Sequence, residues 1–312
     1  DVYKRQDYDV AVRRAKHSSS GPDGIPYAAY KAYPELSATV LFSASRDLCT
    51  EAPRSKNAQL VWFALKGAAD TDATSCVRTP NNLRIIFGSN VDSKLIASAA
   101  SRKLVEPTLQ VTPLAQRVFC RGRQLGLNIV DLDVYMRAFN CKYGADLSSG
   151  DIGSFPATAL YDFCNAFPTA LHEWLFIVLL AYDIPAELRL LIKSLYTSIA
   201  AYSSGIGSNS FLFYVLGGVK TGCPLSSILF LLCINPFPSL FDKLSDAPGY
   251  SMSRVCADES GSAMRMLTSL RTHPSIFKLA GRVAGLHFKP CKCVLIVTCV
   301  KFDGAAIQAI KN

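Results

Sequence analysis

Hydrophobic and polar positions alternate along this chain with several distinct periods. The clearest runs from Pro185 to Ile199, where Leu188, Leu191, Ile192, Leu195, Tyr196 and Ile199 recur at i, i+3, i+4, i+7, i+8 and i+11. That period puts them on one stripe of an amphipathic helix, and Pro185 suits its first turn. Tyr8 to His17 and Tyr27 to Cys49 also read as helical, the second interrupted near Pro34. Asp92 to Leu109 places Leu95, Ile96, Ala99, Leu104 and Leu109 roughly on one side. Leu171 to Tyr182 is strongly apolar and long enough for a buried helix, Ser226 to Ile234 reads as an apolar helix, and Ser275 to Leu286 predicts a further helix. Short apolar runs bounded by turn residues predict strands at 60–65, 83–87, 157–163, 211–216 and 294–300. Residues 250–263 predict a hairpin around Ala257-Asp258. Turn-rich stretches fall at 18–26, 140–156, 201–210 and 217–222, with a polar loop at 68–82. Helices and strands alternate without the regular spacing of a doubly wound sheet, so the expected class is α+β with a mostly antiparallel sheet.

Composition narrows this picture. The chain has 312 residues, 50% of them hydrophobic and 18% charged, enough to bury a core in one large domain or two subdomains. Lys plus Arg outnumber Asp plus Glu by 33 to 24, a formal charge of +9 that favours a polyanionic partner. The nearest approach to a membrane span, the uncharged run Thr221 to Phe241, contains Gly222, Pro224, Asn235, Pro236 and Pro238, which argue for a buried core segment instead. The start carries no signal-peptide pattern. Residues 1–6 (DVYKRQ) resemble a translated adapter and are expected to lie outside the fold. Eleven cysteines form no CxxC pair, and Cys291 and Cys293 alone are close. With four scattered histidines, this argues against a zinc module or a secreted disulfide framework and fits a reducing, intracellular compartment.

Two acidic positions stand out for chemistry. Asp162 ends an apolar run, where a carboxylate is costly to bury unless something neutralises it. Asp258-Glu259 sits in the turn of the expected hairpin. Bringing these strands side by side would gather carboxylates that call for divalent cations, and Mg²⁺ takes such oxygen ligands together with phosphates. From spacing alone, an Asp capping a helix that begins near Ala166 is the simpler reading of Asp162.

Seven ordered segments, spanning roughly residues 18 to 300, resemble the reverse transcriptases of non-LTR (LINE-like) retrotransposons, protist type. They are Gly21–Ile25 (GPDGI), Lys66-Gly67 with Leu83-Arg84, Gln116–Arg123 (QRVFCRGR), Asp162–Pro168 (DFCNAFP), Gly218–Ser226 (GVKTGCPLS), Cys256–Asp258 (CAD) and Ala284–Cys293 (AGLHFKPCKC). The resemblance implies a right-hand polymerase fold with fingers and palm, the palm carrying a small antiparallel sheet packed on helices. Residues 7–156 would be mainly fingers and 157–300 mainly palm, with a fingers excursion near 185–216. Residues 301–312 would begin a thumb or tail.

By the same resemblance, Asp162, Asp258 and Glu259 would hold two Mg²⁺ ions, or Mn²⁺ in their place. Lys292 would protonate the pyrophosphate leaving group. Lys66 and Arg84 would grip the incoming dNTP, Phe163 would offer its backbone carbonyl on the nucleotide side, and Phe167 would exclude a ribose 2′-OH. Gln116, Arg121, Arg123, Gly218, Gly222 and Pro224 would meet template and primer. The implied activity is RNA-directed DNA synthesis on an RNA template from a DNA primer, in the nucleus and away from membranes. Oligomeric state is not implied.

Departures from the family pattern set an alternative beside it. Glu259 stands for the usual second Asp, Cys256 for the common Tyr, Thr221 for Gln and Ile85 for Pro. These changes also fit a catalytically decayed domain that only binds nucleic acid. A third reading, an intron-encoded or viral RNA-templated polymerase, shares the palm but fits Asp162–Phe167 and Gly218–Ser226 less well.

Overall fold

The computed structural model describes residues 2–50, 53–68, 77–144, 151–203, 210–244, 251–257, 259–298 and 304–311. The chain forms two compact units. The first comprises Asp1–Pro107 and Phe176–Leu229; the second comprises Thr108–Leu175 and Phe230–Asn312. Residues 108–156, grouped with the fingers in the sequence division, thus cluster with the strands of the second unit.

In the first unit, helices α1 (Arg5–Arg14), α2 (Tyr27–Ala32) and α3 (Pro34–Leu48) precede the hairpin of β1 (Ala58–Leu65) and β2 (Leu83–Ser89). Pro34 splits α2 from α3 and serves as the first residue of the latter, where its missing N–H costs nothing. The adapter-like start is packed: Tyr3 is 4% exposed, its ring against Tyr8 and Phe42. Helix α4 (Val91–Val111) follows β2 and runs across the first boundary between the units.

The amphipathic stripe becomes α8 (Ala186–Leu195), with Leu188, Leu191, Ile192 and Leu195 at most 1% exposed. The helix stops four residues earlier than its apolar period suggests. The Asn57 side chain donates to the Ser194 and Thr197 carbonyls, both at 2.6 Å, and Ser198 turns left-handed at φ 53°. Ile199 keeps the helical phase but opens β4 (Ile199–Ser203), a strand where a turn was expected. With β5 (Phe211–Val215), the sheet order is β2-β1-β4-β5. Its β1–β4 pair is parallel and the others antiparallel, so this sheet is mixed. Val61, Phe87 and Ala201 form its core, with Ile85 and Val215 against them.

The second unit is built on an antiparallel sheet of order β6-β7-β3-β8. Its strands are β3 (Ala157–Asp162), β6 (Ser251–Cys256), β7 (Glu259–Met264) and β8 (Val294–Val297). Helices α5 (Gly126–Tyr143), α6 (Ala166–Thr169), α10 (Pro236–Leu244), α11 (His273–Ala284) and α12 (Gly304–Lys311) also belong to it. Helices α7 (His172–Ala181) and α9 (Ser226–Ile234) cross the remaining boundaries. Alternation along β3 divides the sheet's two faces. Tyr161 turns toward α11, its hydroxyl bonded to His273 and its ring 4.7 Å from Phe277. Leu160 and Asp162 turn the other way, where Leu132 of α5 sits so close that a methyl on Gly261 would lie 2.6 Å from its Cδ1.

Helices α5 and α10 were not expected. The apolar residues of α5 fall on several sides, and Ile129, Val130, Val134 and Tyr135 remain exposed. A helix without a single apolar stripe has no 3.6-residue signature. The prolines of α10 occupy its first turn, where they are tolerated. Among the described residues, no helix is long and apolar enough to cross a membrane.

Candidate active site

The second unit brings three of the predicted residues together. Antiparallel register places Asp162, the last residue of β3, opposite Glu259, the first of β7, so both side chains leave the same face. Asp162 keeps only 16% side-chain exposure. Its backbone carbonyl accepts from Lys289 N at 2.9 Å, and Cys164 N donates to the His287 carbonyl at 2.7 Å. The segment after α11 is thereby fixed along β3, which delivers Lys292: its Nζ lies 3.0 Å from Asp162 Oδ2. That oxygen is buried and accepts no aligned hydrogen bond, so the contact is one of charge. A cavity of about 450 Å³ opens beside these groups, with Asp162, Glu259, Lys292, Cys256 and Arg254 in its wall.

Asp258 lies outside the described residues. Its neighbours are informative: Cys256 pairs with Glu259 at the end of the β6–β7 hairpin, and Ala257 adopts φ 53°. A left-handed alanine costs about 1–2 kcal/mol, a strain of the kind that gathers at functional turns. Among the described residues, no group of three or more His, Cys, Asp or Glu side chains converges as a metal site.

Phe167 sits on α6, which begins after a left-handed Asn165 at φ 50°. Its half-buried ring stacks on Phe230 at 4.4 Å and takes the edge of Phe119 at 6.1 Å. Phe119, the aromatic of the Gln116–Arg123 motif, is 46% exposed with φ 57°, an unusual conformation for an aromatic residue. The Phe163 ring is buried against Phe277, with its backbone bridged to Phe288.

The 116–123 segment is mostly occupied with its own structure. Gln116 is fully buried, pairs with Val255 of β6, and accepts from Val118 N at 3.1 Å. Arg123 donates to four carbonyls, those of Leu109, Thr112, Pro113 and Gln116, and so closes the end of α4. Arg121 is exposed.

The other predicted residues belong to the first unit. Arg84 is exposed and pairs with Ala64 across the hairpin. Lys66, two residues beyond Ala64, holds the diagonal position, with its N–H on the Asn82 carbonyl at 2.9 Å. In the 218–226 segment, Gly218 (φ 86°) is buried and Pro224 is exposed. Gly222 (φ 95°) passes so close to β2 that a Cβ would stand 3.2 Å from the Phe87 carbonyl. Two departures from the family pattern meet here, since Thr221 Oγ1 donates to the Ile85 carbonyl. Lys220 is fully buried, its Nζ on the Leu195 carbonyl at 3.0 Å and 4.9 Å from the Tyr196 ring centre. Burial pulls its pKa below the ordinary lysine value.

No protein-family model and no curated protein matches the sequence. Solved structures do resemble the fold. Apo telomerase from Candida tropicalis, truncated from its C-terminal domain, aligns with TM-score 0.57 at 10% identity, over 85% of this chain and 56% of its own. Telomerase from Candida albicans in complex with a TWJ fragment of telomeric RNA aligns with TM-score 0.55 at 10% identity, over 87% and 49%. The corresponding RNA complex from Candida tropicalis gives 0.55 at 9% identity, over 84% and 45%. The fold is similar to that of these telomerases. At such low identity the likeness concerns the fold alone, and the chain spans about half the length of these telomerases. Within this fold, the end of β3 and the start of β7 bring Asp162 and Glu259 together.

Proposed function

We propose that the chain is the polymerase domain of a reverse transcriptase, extending a DNA primer 3′-OH with dNTPs on an RNA template. The observation that carries this reading is the register of Asp162 against Glu259 in a polymerase fold, beside the hairpin turn that contains Asp258. The ordered motifs support a retroelement origin, and the formal charge of +9 suits a nucleic-acid partner.

The donor set fits a hard divalent cation. Asp162 and Glu259 offer oxygen only, and the buried Oδ2 of Asp162 lacks an aligned hydrogen bond. Asp162, Asp258 and Glu259 would hold Mg²⁺, or Mn²⁺; when bound, such ions acidify the attacking hydroxyl and neutralise the transferring phosphoryl group. The chain's own contributions are mainly positioning and charge. Lys292, 3.0 Å from the Asp162 carboxylate, has a proton to give to a leaving pyrophosphate. Phe167, held against Phe230, presents a wall to the sugar. On the first unit, Lys66 and Arg84 supply two cations suited to triphosphate oxygens.

The test is Mg²⁺-dependent primer extension on an RNA template. The wild-type chain should incorporate dNTPs. D162N and D258N should each abolish incorporation while E259D should sustain or raise it, because Asp is the residue the site usually holds. Absence of incorporation, or incorporation indifferent to D162N, would leave the domain a nucleic-acid-binding remnant.

A further inference from the structure

Near the start of α5, in the second unit, a cavity of about 420 Å³ has Arg117, Arg123 and Arg254 in its wall and no acidic residue. One carboxylate serves two of these arginines: Asp131 Oδ2 accepts from Arg117 Nη2 at 2.6 Å and from Arg254 Nε at 2.7 Å. Burial pushes the Asp131 carboxyl up, but the hydrogen bonds from Arg254 and Arg117 outweigh it and hold the pKa below the usual carboxylate range. The third, Arg123, is tied to neutral carbonyls, and no carboxylate neutralises it among the described residues. Three guanidinium charges therefore face one shared counter-charge.

Two further features point the same way. Arg117 Nη1 is buried without a hydrogen-bond partner, a donor still to be satisfied. Gln124 and Leu127, at the start of α5, line the cavity, and that helix has neither an acidic residue in its first turn nor a side-chain cap. The N-terminal residues of this 18-residue helix, its positive end, thus share the cavity wall with the arginines.

We propose that this cavity binds a phosphate monoester dianion, with Arg117 and Arg254 as its principal ligands and the start of α5 as its floor. A dianion matches the excess of two positive charges, and planar guanidinium forks suit phosphate oxygens. The site shares Arg254 with the wall of the Asp162–Glu259 cavity, but its other lining residues are separate and it does not depend on polymerase activity. Its dianion has two sources of the same chemistry: a free nucleotide or inorganic phosphate, or the 5′-phosphate at the end of a nucleic-acid strand.

The test is calorimetric titration of the full chain at constant ionic strength. Four probes are used: inorganic phosphate, thymidine 5′-monophosphate, and an oligothymidylate with and without a 5′-phosphate. Saturable binding of a monoester is expected, with inorganic phosphate competing. R117Q and R254Q should each weaken it at least about tenfold, and R117K should restore part of the loss. The exposed Gln124 gives a variant that leaves the ion triad intact. Q124E should abolish monoester binding while the melting temperature stays unchanged. Tighter binding of the 5′-phosphorylated strand than of free phosphate would assign the site to strand ends; equal binding would assign it to a free anion. No saturable binding, binding indifferent to Q124E, or equal binding of the two oligonucleotides without competition by phosphate would overturn the proposal.

Discussion

Phe167 shows how much of one residue's role lies in its neighbours. Its place five residues after Asp162 marks it in the sequence, but the ring is held by Phe230, 63 positions on, and by Phe119. A ring fixed on two sides loses little entropy when it is used as a wall. Under the polymerase reading, F167A should raise the relative use of rNTPs by about ten- to a hundredfold. Single-nucleotide incorporation with dNTP and rNTP measures this as a ratio of kcat/KM values, and an unchanged ratio would remove Phe167 from sugar selection. Asp162 and Glu259 were marked at this scale by ordered motifs, and the register sets them opposite each other. The arginine cavity was not, since Asp131 meets Arg117 across 14 positions and Arg254 across 123. Isolated charges in a basic chain carry no pairing signal.

Among the elements, those with a single apolar stripe or a turn-bounded apolar run were read close to their true limits. The β6–β7 hairpin and α9 are examples, whereas α8 was read correctly at its start and four residues too long at its end. Helix α5 was invisible because its apolar residues are spread around it, and only packing on the sheet through residues such as Leu132 selects the helix. The end of α11 depends on one glycine. Gly285 is left-handed at φ 72°, and an added Cβ would lie 2.2 Å from the Thr169 carbonyl oxygen. Neither the conformation nor the backbone contact can yield cheaply. G285A should cost more than about 2 kcal/mol of stability in urea unfolding. G261A, whose clash is with the ends of the Leu132 and Leu160 side chains, should cost less. The reverse order would show that the α11 terminus is more pliable than its contacts imply.

Across the molecule, charge and burial set the response to pH. His273 is 4% exposed, and burial lowers its pKa from 6.5 to about 4. The unfolded chain therefore takes up this proton more readily than the folded one. The contribution is whole above pH 6.5 and is lost as pH falls toward 4, roughly 3 kcal/mol in all. Denaturant unfolding between pH 7 and 4 should show that decline, and H273Q should flatten it; an equal slope in both proteins would place the acid sensitivity elsewhere. At this scale the sequence alone determined the α+β class, the basic balance and the order of the motifs. Each of these rests on local periodicity, composition or short residue strings, which survive without coordinates. Only the tertiary structure decided which acidic residues face each other, which arginines are spent on backbone carbonyls and which remain for an anion. Those outcomes follow from strand register and from packing between residues far apart in the chain. A single sequence records neither, because shifting one strand by one residue would send Asp162 to the opposite face while leaving the composition untouched.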